Sequence, residues 1–268
     1  MRNVFARLTG KPVVKKIPLV VLEGTIRAGG AQRSLNWRNV SPMLEKAFER
    51  TDTNVVALLV NSPGGSPAQS SAIYTAIRRL KHKHNKRVVA FVQDAAASGG
   101  YYIACAACQI VVDPNSVVGS IGVVSQWFGV RELMGKIGVT PRTYTAGTSK
   151  SFLSPFEEEP SEEDLARLKR LQEQIHGNFR SVVQESRGSK LATDVDLFDG
   201  NFWIGQEAVD LGLADEVGDP MTWLEDGHKF DLIKGGGSLL ERLTSRSEMT
   251  MERLMESAVQ NNSYGLKM

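Results

Sequence analysis

The chain has 268 residues, of which 41% are hydrophobic and 23% are charged, a composition typical of globular proteins. This composition excludes a wholly disordered chain, and only two cysteines exclude a scaffold held together by disulfides. The formal net charge of +2 gives no general attraction to nucleic acid, so no nucleic-acid partner is expected.

The first two-thirds of the chain alternate short β-branched runs with helical patterns. Strands are predicted at 17–22, 54–60, 87–92 and 109–113, with a further strand or turn at 119–125 and an extended segment at 139–144. Helices are predicted at 36–50, 69–81, 101–108 and 128–137. This alternation predicts βαβ units around a largely parallel, buried sheet, and therefore an α/β fold.

A polar loop at 147–160 leads into the clearest helix of the chain, at 161–185, which Ser161 can cap. A last small unit spans 202–217, and the pattern weakens after Gly218. A flexible link is predicted at 235–237 and an amphipathic helix at 239–259. We therefore divide the chain into a basic arm (1–14), one domain (15–218) and a C-terminal extension (219–268).

The N-terminal 22 residues carry five basic side chains and no acidic one. A solvated tail is the favoured interpretation, and a weak organelle presequence or an arm that touches a membrane surface are the alternatives. No apolar signal region follows Arg2, and no apolar run approaches the roughly 18 residues of a membrane span. A soluble protein of the cytoplasm or an organelle is therefore expected.

Two of the predicted strands end in turns that are rich in glycine. The first turn, at 61–66, contains Gly64 and Gly65, and paired glycines permit the close approach of another chain. Free backbone amides at such a turn can hold an oxyanion, although a plain strand-to-helix turn has the same pattern.

The second turn, at 94–100, places Ser98 among small residues at the start of a predicted helix. A strand, a tight turn with serine and a helix form the arrangement of a nucleophile elbow, and the helix N-terminus stabilises negative charge there. The alternative is a serine that only caps the helix. Ser98 is thus the candidate nucleophile.

A nucleophilic serine needs a base, and the four histidines are poorly placed for this role. His82 and His84 lie in a basic run at a helix end, His176 in the long amphipathic helix and His228 in the tail. Lysine also serves as a base for serine once burial favours its neutral form. Lys150, in a loop with apolar neighbours, is the best candidate, and an ordinary surface lysine is the alternative.

Cys105 and Cys108 lie three residues apart in a predicted helix. A zinc site would need a second pair of ligands, and the neighbouring residues are alanine and isoleucine. The sequence therefore predicts two buried thiols, and no metal or other cofactor is expected.

Taken together, these residues resemble the SppA-type signal peptide peptidases, a family of serine–lysine peptidases. The resemblance covers about residues 15–218 and depends on the order and spacing of five strings. These are Asn61-Ser-Pro-Gly-Gly65, Asp94-Ala-Ala-Ala-Ser-Gly-Gly-Tyr-Tyr102, Gly119-Ser-Ile-Gly-Val123, the Lys150 loop ending in Ser154-Pro155, and the closing unit 205–218.

The resemblance implies a role for each site residue. Ser98 corresponds to the family's nucleophile, Lys150 to its general base and Ser120 to the serine that orients this lysine. The backbone amides of Gly65 and Gly99 correspond to the oxyanion hole.

The family also implies the fold of ClpP and crotonase, with repeated ββα units around a mixed, largely parallel sheet. Its members assemble into rings or domes, trim signal-peptide remnants and other membrane-derived peptides, and prefer apolar residues at the cleavage site. We therefore expect peptide substrates and a homo-oligomer. Many members carry an N-terminal membrane anchor, and the sequence shows no such segment.

Two other functions are compatible with the same fold. A crotonase-like enzyme would hold an acyl-CoA thioester in a similar oxyanion hole without a serine–lysine pair. A non-catalytic assembly protein would keep the fold alone, but the presence of Ser98 and Lys150 argues against it.

Overall fold

The computed structural model describes residues 16–29, 34–147, 150–157, 159–225 and 228–233. The predicted arm at 1–14, the link at 235–237 and the helix at 239–259 lie outside these residues. The described part of the chain forms one eight-stranded sheet with helices packed against it.

The strands are β1 (Lys16–Glu23), β2 (Val55–Ser62), β3 (Arg87–Ala97), β4 (Gln109–Val112), β5 (Val117–Gly119), β6 (Phe202–Ile204), β7 (Glu216–Val217) and β8 (Lys229–Leu232). The main strand order is β6-β5-β3-β2-β1-β8, while β4 pairs with both β3 and β7. Among the described strands, only the β5–β6 pair is antiparallel. The predicted α/β class with a largely parallel sheet is confirmed.

The helices are α1 (Trp37–Phe48), α2 (Pro67–His84), α3 (Gly99–Ala104), α4 (Arg131–Lys136), α5 (Glu162–Arg187), α6 (Gly205–Asp210) and α7 (Pro220–Glu225). As predicted, Ser161 caps α5, and its hydroxyl accepts a hydrogen bond from the Asp164 amide at 3.1 Å. A short 3₁₀-helix (Gly188–Lys190) follows α5.

Two apolar clusters hold the layers together. The larger cluster lies between the sheet and the helices, and includes Leu44, Ile77, Ile103 and Val183. The smaller cluster, around Phe91 and Phe230, covers the other face of the sheet. Because β8 pairs with β1 and contributes Phe230, the sheet continues beyond Gly218.

Strand β3 changes its partner on one side half-way along its length. Its first part pairs with β4 and its last three residues, 95–97, pair with β5. An irregularity opposite β2 accompanies this change, and there the Asn61 amide group donates to the Asp94 carboxylate at 2.6 Å and accepts from the Ala95 amide. The strand therefore reaches Ala97, and the expected break at residue 94 is wrong.

The segment between β5 and α5 is less regular than the sequence suggested. The predicted helix at 128–137 shortens to α4, which has no buried residue, and 139–144 joins no strand. Residues 120–125 follow β5 and form no strand, with a bend at Gly122. Most of its described side chains are exposed, so packing against the core does not stabilise the elements that the local pattern predicts.

Candidate active site

Ser98 stands at the junction of β3 and α3 in a conformation that residues with side chains rarely adopt. Its φ is 49° and its ψ is −119°. The backbone is fixed in this turn because the Ser98 amide donates to the Gly119 carbonyl at 2.8 Å and the Ser98 carbonyl accepts from the Tyr102 amide at 2.9 Å.

The hydroxyl of Ser98 is not used to hold the helix. The residue occupies the N-cap position of α3, but its side chain makes no capping hydrogen bond. No hydrogen bond joins this half-buried hydroxyl to any other described residue. The alternative interpretation of Ser98 as a capping serine is therefore wrong, and the turn resembles a strained nucleophile elbow.

The glycine turn after β2 lies against a bridge to Ile26. The Ile26 amide donates to the Gly64 carbonyl, and the Ile26 carbonyl accepts from the Ser66 amide, each at 2.8 Å. In this parallel arrangement the amide of Gly65, between these two, faces away from Ile26. Gly65 has a φ of 138°, and a Cβ atom there would lie 2.1 Å from the Ile26 carbonyl oxygen, so only glycine fits.

Gly99 brings a second free amide to the same place. As the first residue of α3, its amide has no carbonyl partner within the helix. A Cβ atom on Gly99 would lie 3.4 Å from the Gly65 nitrogen and 2.4 Å from the buried Ser70 hydroxyl. The two predicted oxyanion residues are thus neighbours, and both stand beside Ser98.

These elements open into a cleft of about 640 Å³. Ser98, Gly65 and Gly99 line one part of it. The remaining wall includes apolar side chains from α2, α3, the segment after β5, and α5, namely Ala68, Tyr102, Val123, Ile175, Phe179 and Val182. The candidate nucleophile therefore faces a cavity that suits an apolar side chain.

Ser120 lies one residue beyond the carbonyl to which Ser98 is bound. It also has a positive φ, of 50°, and its amide donates to the Asn201 carbonyl at 2.7 Å. The pairing of β3 with β5 therefore brings Ser98 and Ser120 to the same edge of the sheet. The orienting role of Ser120 stays a prediction.

Lys150 is exposed and lies in a turn of the segment before α5. Its backbone amide donates to the Gly147 carbonyl at 3.1 Å. Its ammonium group forms no hydrogen bond or ion pair within the described residues, and none joins it to Ser98. The single chain therefore does not assemble the predicted pair, and the role of Lys150 as a base stays a prediction.

The four histidines all lie within the described residues, and none of them is hydrogen-bonded to Ser98. His176 contacts the Ile121 carbonyl through Nε2 at 3.0 Å, and His228 contacts the Trp223 carbonyl. The contact of His176 beside the cleft was missed by sequence reasoning, since the i to i+4 pattern of α5 only marked it as a helical residue.

The two cysteines have different environments. Cys105 is buried, and this burial raises the pKa of its thiol to about 12. Cys108 is exposed, so the prediction of two buried thiols is wrong for this residue, which lies just past the end of α3 at the surface. Within the described residues there is no group of three or more histidine, cysteine or acidic side chains that could hold a metal ion.

Comparison with known proteins identifies the family. The sequence profile of Peptidase family S49 matches residues 80–226, which is more than half of the chain. This chain belongs to peptidase family S49. The matched region includes Ser98, Gly99, Ser120 and Lys150.

Two relatives that match most of this chain are longer proteins. The chain is 47% identical over 238 residues to a Brucella melitensis protein named Na(+)/H(+) antiporter NhaA, covering 87% of this chain and 32% of that protein. It is 32% identical over 209 residues to an Enterococcus faecium protein that carries the name signal peptide peptidase SppA, covering 76% of this chain and 60% of that protein. The chain thus spans about a third of the length of the Brucella protein and 60% of the length of the Enterococcus protein.

The fold has a solved counterpart. A mutant of the membrane-bound stomatin-specific protease 1510-N superposes with a TM-score of 0.51 at 13% sequence identity, covering 84% of this chain and all of that one. This similarity supports the ClpP-like fold that the resemblance implied. In the part of the chain that the structure describes, no helix has both the length and the apolar character needed to cross a membrane.

Proposed function

We propose that this S49 peptidase is a serine endopeptidase in which Ser98 is the nucleophile and Lys150 the general base. The observation that carries the proposal is the strained Ser98 turn, which presents an unbonded hydroxyl to the cleft beside the amides of Gly65 and Gly99. A nucleophile next to two free amides is the arrangement that acyl transfer requires.

The proposed reaction combines these groups with Lys150 as the base. Neutral Lys150 takes the proton of the Ser98 hydroxyl as Oγ attacks the carbonyl carbon of the scissile peptide bond. The amides of Gly65 and Gly99 donate to the resulting oxyanion, and the positive end of α3 stabilises it further. Lys150 then returns its proton to the leaving amine, and water cleaves the acyl-enzyme to release Ser98.

The cleft favours substrates with an apolar side chain next to the cleaved bond. Tyr102, Phe179 and Val182 would enclose such a side chain and remove its apolar surface from water. Short or unfolded apolar peptides, such as remnants of signal peptides, meet this requirement. The name of the Enterococcus relative supports the same substrate class.

Lys150 needs a further element before it can act as a base. A lysine acts as a base only in its neutral form, which burial favours, and Lys150 is exposed in the single chain. We propose that a second copy of the chain covers it. The segment 124–156 supports this because it leaves large apolar side chains in water, among them Val124 (87% exposed), Phe128 (77%) and Tyr144 (90%).

Labelling with a serine-reactive fluorophosphonate tests the proposed nucleophile. We expect one adduct per chain, mapped by mass spectrometry to Ser98, and no adduct in Ser98→Ala. Ser41→Ala, on the outer part of α1, is the matched control and should label normally. Labelling elsewhere, together with cleavage of an apolar peptide by Ser98→Ala, would overturn the assignment. Turnover of an acyl-CoA instead of a peptide would favour the crotonase-like chemistry.

A further inference from the structure

Residues 121–123 form a loop at the cleft wall that belongs to no strand or helix. They follow β5 directly, and Gly122 and Val123 line the cleft together with Ser98. The Gly122 amide turns back to the Ser120 carbonyl at 2.9 Å, which makes a tight turn around Ile121. The fully buried Ile121 side chain packs in the larger apolar cluster and holds the turn from one side, which leaves the side of its carbonyl group to be supported.

Helix α5 supplies that support from two successive turns. The His176 Nε2 atom lies 3.0 Å from the Ile121 carbonyl oxygen, and the Gln172 amide donates to the Ser125 hydroxyl at 3.2 Å. Positions 172 and 176 are four residues apart, so they lie on one face of the helix. The next residues on that face, Ile175 and Phe179, line the cleft themselves. One helix face therefore builds one part of the wall and anchors another.

The direction of the histidine hydrogen bond is settled by its partner. A carbonyl oxygen can only accept, so the Nε2 atom of His176 must carry a hydrogen. That nitrogen is consequently committed to the wall and has no lone pair with which to take a proton from Ser98.

We infer that His176 is a positioning residue for substrate binding. It holds the Ile121–Val123 turn in place and so keeps the cleft at the width that a bound peptide needs. This inference rests on the proposed peptidase function and adds a residue to it. His176 acts through the wall, and it takes no part in proton transfer.

Two variants separate the hydrogen bond from the space that the ring fills. His176→Phe keeps an aromatic ring but removes the donor, whereas His176→Gln keeps a donor. His82→Phe, at the exposed end of α2, is the matched control. The probe is a fluorescent decapeptide of leucine and alanine. Its dissociation constant is measured in a Ser98→Ala background, where no cleavage occurs, and KM and kcat are measured with active Ser98.

We expect His176→Phe to weaken peptide binding by about 3- to 10-fold, the size of one neutral hydrogen bond. KM should rise by a similar factor while kcat changes by less than about 2-fold. His176→Gln should recover most of the affinity. The rate of fluorophosphonate labelling at Ser98 should stay unchanged in both variants, because binding of this small reagent does not depend on the Ile121–Val123 turn.

The alternatives give different results. Unchanged peptide affinity in His176→Phe, or no rescue by His176→Gln, would overturn the inference in favour of simple packing. Loss of labelling in folded variants would overturn it in favour of a histidine base. Failure of the wild-type protein to label at Ser98 would instead contradict the proposed function.

If His176→Phe does not fold, nitrogen NMR of the labelled wild-type histidine still tests the hydrogen bond on which the inference rests. A hydrogen on Nε2 of neutral His176 is required, and a bare Nε2 would overturn the inference.

Discussion

The amide nitrogen of Gly65 lies 3.4 Å from the position that a Cβ atom on Gly99 would occupy. Two glycines from different strand ends, 34 positions apart in the chain, therefore meet with their amides beside Ser98. A side chain at Gly99 would also lie 2.4 Å from the Ser70 hydroxyl, so either this hydroxyl or the start of α3 would have to move. The geometry of these amides is thus set by the absence of side chains.

Gly99→Ala should therefore cause a large loss in kcat and only a small loss in the free energy of unfolding. We expect kcat for an apolar peptide to fall by about 100- to 1000-fold, the loss that follows removal of one oxyanion donor. Steady-state cleavage and urea unfolding measure the two effects. Gly177→Ala is the control, because its Cβ atom would point into open space on α5 and alanine favours the helix by up to about 1 kcal/mol. Equal losses of activity in both variants would contradict the oxyanion assignment.

Substitution of Lys150 tests the base. Lys150→Ala and Lys150→Arg should both lose about 100- to 10,000-fold in kcat/KM, because arginine cannot give up its proton. Ser120→Ala should keep a rate reduced by only about 3- to 10-fold, the effect of one lost hydrogen bond. If Lys150→Arg kept most of the activity, the lysine would contribute only its positive charge and would not be the base.

The sequence predicted those features that depend on neighbours along the chain. The start of α5 followed from Ser161 and the acidic residues after it, and Ser98 stood out because a strand, a serine turn and a helix are contiguous. The end of β3 was missed because an alanine-rich strand that changes partners has the composition of a turn. The contact between His176 and Ile121 joins residues 55 positions apart, and no local pattern reports it.

The cysteines should differ in reactivity. Burial raises the pKa of Cys105 to about 12, so this thiol remains protonated and shielded, while Cys108 is exposed. Native protein should incorporate one iodoacetamide per chain at mildly alkaline pH, and denatured protein two. Cys108→Ser should abolish the native reaction and Cys105→Ser should leave it unchanged. Native labelling of Cys105 would show that the end of α3 opens.

The exposed apolar side chains of segment 124–156 should hold an oligomer together. Phe128→Glu places a charge where an apolar contact is expected, and light scattering should then show dissociation toward monomers. Peptide cleavage should fall with the assembly, since Lys150 loses its cover. Val195→Glu, a partly exposed position outside the segment, should leave the mass unchanged. A wild-type monomer with full activity would contradict this expectation.

The ion pair between Arg187 and Asp215 should make stability depend on pH in acid. The Arg187 guanidinium binds both carboxylate oxygens of Asp215, at 2.8 and 3.1 Å, and Lys190 binds the same group. Burial of Asp215 acts to raise the pKa of its carboxyl group, but the bonds to Arg187 and Lys190 outweigh it and lower this pKa to about 2. The native protein therefore favours the ionised form more strongly than the unfolded chain does.

The direction of the pH dependence follows from the lower pKa of Asp215 in the native protein than in the unfolded chain. Above about pH 4 the carboxylate is ionised in both states, and its native partners contribute about 2 kcal/mol to the free energy of unfolding. As the pH falls toward about 2, the unfolded chain takes up the proton first and this contribution is lost. Urea unfolding across this range should show the loss in the wild type.

In Asp215→Asn the dependence of stability on pH should be weaker. The free energy of unfolding at neutral pH should fall by about 3–5 kcal/mol, because Arg187 is left buried without a counter-charge. Asp210→Asn, at the exposed end of α6, should behave as the wild type does, and an equal acid dependence in Asp215→Asn would show that other carboxylates govern it.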